Sequence, residues 1–207
     1  MVYENDRDEL SSILTINNAY RILEYEERIL ELVPELIICN KWEWRNEYKG
    51  DRDNLYVNTL HVVMFVYNDL TLNLAALFHN IGKPYVMKKT NEKTHYCGYE
   101  EISATIASLV LNRLNYEEGI INDVCTIIKK QNEKINPTIN DIKLVVDSIG
   151  KINFERLLEL QNAILAHKDE DYKKRISKLY KLKEVYINNE FIWINVPNIR
   201  KKTHLRN

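Results

Sequence analysis

The chain has little of what builds tight turns and cross-links. Five glycines and four prolines are spread over 207 residues, too few for the frequent turns of an all-β fold. Cys39, Cys97 and Cys125 are its three cysteines. They are odd in number and lack Cys-x-x-Cys spacing, which argues against a disulfide scaffold and a zinc ribbon. No apolar run approaches the ~20 residues of a membrane span. The stretch Met1 to Asp8 has neither the basic start nor the apolar core of a secretion signal. Lys and Arg total 29 against 30 Asp and Glu, for a net charge of -1, so no global basic field exists to attract nucleic acid. A reducing, cytoplasmic setting and no membrane contact are expected.

What is present is helical spacing of apolar residues. The length suits one domain of ordinary size with a small appendage. Leu10, Ile13, Leu14, Ile22, Leu23, Ile29, Leu30 and Leu32 give an amphipathic pattern that Pro34 breaks. The spacing predicts further helices over residues 55–68, 71–79, 99–114, 117–131, 138–149, 153–167 and 172–186. Residues 40–53, with Trp42 and Trp44, are expected to form a loop in which the tryptophans pack. The expected fold is all-α, divided into an N-terminal amphipathic segment over 1–34 packed on the core, a helical domain over 35–185, and a tail over 186–207. Between Val185 and Val196, Tyr186, Ile187, Phe191, Ile192, Trp193 and Ile194 around Asn188-Asn189 favour an extended or hairpin segment. That segment packs on the core or forms a homodimer contact. The basic clusters, Lys173 to Lys183 and Arg200 to Arg206, read as solvated faces and tail. A composition rich in Asn, Ile, Lys, Tyr and Glu points to an AT-rich genome.

Four stretches carry chemistry. Leu74-Ala75-Ala76-Leu77-Phe78-His79-Asn80-Ile81-Gly82-Lys83-Pro84 is an apolar helix ending in His-Asn and a glycine-lysine turn. Before it comes Asn54-Leu55-Tyr56-Val57-Asn58-Thr59-Leu60-His61-Val62-Val63. After it come Gly98-Tyr99-Glu100-Glu101-Ile102-Ser103-Ala104 and then Asn162-Ala163-Ile164-Leu165-Ala166-His167. In this order and at these spacings, the four stretches resemble the HD phosphohydrolases, over roughly residues 30–185. The resemblance is closest to the HD domain that forms the C-terminal part of one bacterial class of CCA-adding tRNA nucleotidyltransferases.

That resemblance implies a helical bundle around a divalent metal, held by a first histidine, the His-Asp pair and a distant aspartate. The cation would acidify a bound water for hydrolysis of a phosphate ester. In this chain the four positions hold Asn58, His79, Asn80 and Ala163, so only His79 can bind metal in the family's way. Tyr99 and Gln131 stand where relatives carry further histidines. An amide is nearly isosteric with a carboxylate but offers no charge to a hard cation. The resemblance with these replacements implies a catalytically inactive module without a metal cofactor. Lys83, His79, Asn80, Asn58, Tyr99 and Gln131 would line a polar pocket for a phosphate-bearing small molecule, an RNA end or a protein partner. The same amides could equally bond one another and keep the helices in register.

Two alternatives stand beside it. His61, three residues after Asn58 on the same helical face, could join His79 and Glu100 in a rearranged site. That site would bind a transition metal and make the chain a phosphohydrolase. The chain could also be a structural scaffold for assembly. No paired-carboxylate motif of a nucleotide-adding head is present, so CCA addition is not expected.

Overall fold

The computed structural model describes residues 5–16, 19–41, 54–89, 94–165 and 171–189. The first helix, α1 (Asp6–Leu14), is capped by the Asn5 side chain, which accepts from Asp8 N at 3.0 Å. A 3-10 turn over Ala19–Tyr25 leads to α2 (Glu26–Leu32), and a second one at Pro34–Leu36 leads to the short α3 (Ile37–Asn40). The amphipathic pattern over residues 10–32 thus spans two α-helices and a 3-10 segment.

Next come α4 (Leu55–Phe65) and α5 (Leu70–Phe78). Each opens on a short polar cap, Asn54 accepting from Val57 N at 2.7 Å and Asp69 from Leu72 N at 2.8 Å. Such caps satisfy backbone donors that the first turn leaves without partners. The short α6 (Lys83–Val86) follows, and then a two-residue antiparallel ladder pairs Lys88 with His95 and Lys89 with Thr94. The long helices α7 (Tyr99–Arg113) and α8 (Glu118–Lys130) pack on each other along their lengths. Gly98, at φ 78, makes the left-handed entry into α7. The set closes with α9 (Ile139–Ile149), capped by Thr138, then α10 (Lys151–Leu165) and α11 (Asp171–Asn188). Gly150, at φ 82, lets α10 start directly after α9.

The fold is the all-α bundle expected from the helical spacing, with one short ladder among the described residues. Its centre is α5, where every residue from Thr71 to Phe78 is buried. A helix buried on every face belongs inside a bundle, and α1, α4, α7, α8 and α10 surround this one. Leu10, Ile13 and Leu14 of α1 join the same apolar cluster. A second cluster, with Ile142, Val146, Phe154, Leu157 and Leu182, lies between α9, α10 and α11. At about 1.5–3 kcal/mol for each large side chain fully buried, these two clusters are the main stabilising term. The helix α10 serves both, giving Leu160 and Ala163 to the first and Phe154, Leu157 and Leu158 to the second.

One expectation is corrected here. Ile187 and Asn188, past the expected helix end at residue 186, continue α11 and do not leave it as an extended strand. The reason is packing: the Tyr186 ring lies 5.0 Å from that of Phe154, and its hydroxyl donates to Glu155 Oε1 at 2.8 Å. The loop with Trp42 and Trp44, His167, and the segment from Phe191 to Val196 lie outside the described residues. Among the described residues no helix is long and apolar enough to cross a membrane.

Candidate functional site

The apolar run of α5 delivers a polar turn into the interior. His79 is 1 % exposed, Asn80 2 % and Lys83 7 %. The turn holds itself through Ile81 N to Phe78 O at 3.2 Å and Lys83 N to Asn80 O at 3.0 Å. His79 Nδ1 lies 2.6 Å from the Ala76 carbonyl. A carbonyl can only accept, so Nδ1 carries the proton and the ring orientation is set by the helix itself.

Two other helices grip the turn at the same atom. The His79 carbonyl accepts from Ser103 Oγ of α7 at 3.2 Å and from Gln131 Nε2, just past α8, at 2.9 Å. Ser103 Oγ also accepts from Gly82 N at 2.9 Å. This close approach demands glycine at position 82, because a Cβ there would meet Tyr99 O at 2.4 Å and Ser103 N at 2.7 Å.

The wall beyond is aromatic and cationic. The Lys83 ammonium sits 4.9 Å from the centre of the Tyr99 ring and 5.8 Å from that of Tyr96. Ring quadrupoles stabilise a desolvated cation in this position. Asn132 Nδ2 donates to the Tyr99 hydroxyl at 2.8 Å and also bonds the Glu100 carboxylate. Burial pushes the Cys39 thiol up to about 12, and the positive field of Lys83 works against that rise.

Five of the expected site residues, His79, Asn80, Lys83, Tyr99 and Gln131, thus share one neighbourhood at the junction of α5, α6, α7 and α8. Asn58 is half-buried on α4, the helix packed against α5. Ala163 is buried in the apolar cluster on α10 and brings no polar group. His61 is half-buried one turn beyond Asn58. Among the described residues no group of three or more His, Cys, Asp or Glu side chains is placed to hold a metal, so His61, His79 and Glu100 do not assemble one. Among the described residues the polar side chains around His79 are amides, a phenol, a hydroxyl and an ammonium, a donor set that does not fit a hard or borderline divalent cation. Sequence reasoning missed Ser103 and Asn132 as site residues. Ser103 had a signal in its quoted Ile-Ser-Ala stretch, but Asn132 had none.

A search of curated proteins returns no match to this chain. A family model described as HD domain matches residues 57–187, which include the His79–Asn80 turn and the helices that grip it. With more than half its length so matched, the chain belongs to the HD-domain family.

Proposed function

We propose that this chain is an HD domain that binds a phosphate-bearing ligand, a nucleotide or an RNA end, without hydrolysing it. The observation that carries the reading is the residue after His79. The family takes its name from aspartate there, and this chain has buried, neutral Asn80. Asn58 and Ala163, at the other two ligand positions assigned by the resemblance to CCA-adding enzymes, also carry no charge. Removing three charged or imidazole ligands removes both the hold on a cation and the acidified water it would supply. What persists is a built polar turn with a lysine beside it, suited to recognition by hydrogen bonds and charge.

The test is turnover. The purified chain is assayed on p-nitrophenyl phosphate and bis-p-nitrophenyl phosphate with manganese, nickel, iron or zinc added, beside His79→Ala. The expected result is no metal-dependent rate above that of the variant. A metal-dependent rate that His79→Ala abolishes would overturn the proposal in favour of a rearranged phosphohydrolase.

A further inference from the structure

The two halves of the Gln131 amide have different fates. Nε2 donates to the His79 carbonyl at 2.9 Å, while Oε1 is buried and has no hydrogen-bond partner among the described residues. Turning the amide over is no remedy, because it would set two acceptors against each other at that distance. Three donors of the site are spent elsewhere: the Ser103 hydroxyl on His79 O, Gly82 N on Ser103, and the Asn132 amide on Tyr99 and Glu100. A buried acceptor left so costs free energy that an incoming donor recovers. A cation is the wrong guest, since among the described residues no cluster of His, Cys, Asp or Glu would complete its shell.

We propose that Gln131 Oε1 accepts a hydrogen bond from a neutral hydroxyl or amino group of the bound ligand, so the site selects a nucleotide by its sugar or base and not by phosphate alone. This rests on the binding reading above. An ionised phosphate oxygen, which only accepts, is disfavoured against Oε1, whereas a sugar hydroxyl or a base amino group is complementary. Gln131 is then a specificity determinant whose other half fastens the His79 turn.

Titration calorimetry on the full chain tests this with four probes: AMP, IMP, 2′,3′-dideoxy-AMP and inorganic pyrophosphate. AMP is expected to bind and pyrophosphate to bind far more weakly. Either IMP, which lacks the exocyclic amino group, or the dideoxy compound, which lacks the sugar hydroxyls, loses about three- to tenfold, and that loss names the donor. Gln131→Met should lose the same discrimination. If that variant does not fold, the probes on the native chain still decide. Pyrophosphate binding as tightly as AMP, IMP and the dideoxy compound both binding as tightly as AMP, or no probe binding at all would overturn the inference. In the last case Oε1 serves an internal water. No probe binding, or metal-dependent turnover of a probe, would defeat the binding reading as well, whereas binding of every probe without discrimination defeats this inference alone, so the two failures are told apart.

Discussion

Arg156 Nη2 donates to Asp69 Oδ2 at 2.8 Å, while the other oxygen of the same carboxylate caps α5 by accepting from Leu72 N at 2.8 Å. One side chain thus starts the central helix and ties it to α10. Arg156 also reaches Asn153 Oδ1 at 3.1 Å, and Asn153 Nδ2 donates to Asp123 on α8 at 2.8 Å. The His79 turn lies at the far end of the helix so anchored.

Asp69→Ala should therefore cost about 1.5–3 kcal/mol, about one for the cap and the rest for the bond lost by a partly buried arginine that keeps Asn153 and, at 3.6 Å, Asp123. Asp69→Asn, which retains a capping oxygen, should cost less. Urea midpoints at constant m-value give the comparison.

Gly82→Ala should destabilise by about 1–3 kcal/mol. The new methyl group meets backbone atoms of α7, not the end of a flexible side chain. Relief requires α7 to move away from the turn. Amide exchange at Gly82, Ser103 and Gln131 should then accelerate more than that of the second cluster.

These consequences show what the sequence revealed and what it concealed. The helix α5 was legible because an apolar run closing on His79–Asn80 has few other solutions, and α7 and α8 because their spacing holds for three turns or more. The continuation of α11 past Tyr186 to Asn188 was not, because β-propensity in Tyr-Ile reflects fit to a half-buried surface, and Phe154 offers that surface to a helix. The site was legible at His79, Asn80 and Gln131, where the resemblance supplied the register. It was illegible at Asn132, whose bond to Tyr99 spans 33 positions of sequence and leaves no local pattern.

Tyr186 holds the end of α11 to the second cluster. Tyr186→Ala should cost about 3–5 kcal/mol by emptying the second cluster, and Tyr186→Phe about 1 kcal/mol for the bond to Glu155. Calorimetric melting of the two variants gives both values.

Thiol chemistry follows burial. Cys97 is exposed and should react first with a disulfide reagent at pH 8, while Cys125, held up by burial, lags. Cys39, at about 12, is thiolate in only about one molecule in ten thousand at that pH. It should react only when the chain unfolds.

The same shifts set the alkaline limit. Burial raises Cys39 from 9.0 to about 12, Tyr116 from 10.0 to about 12, and Tyr56 further. Each folded-state value lies above its unfolded value, so the folded state binds the proton more tightly. The stability this gives is complete below about pH 9 and is lost as pH rises toward 12. Urea midpoints should fall over that window, and Cys39→Ala should reduce the slope of the fall.

The most direct test of the central claim is the metal content of the chain after incubation with manganese, nickel, iron or zinc and removal of free ions, with His79→Ala alongside. The account predicts no stoichiometric metal in either protein and a melting temperature unmoved by chelator. About one ion per chain, absent from the variant, would contradict it.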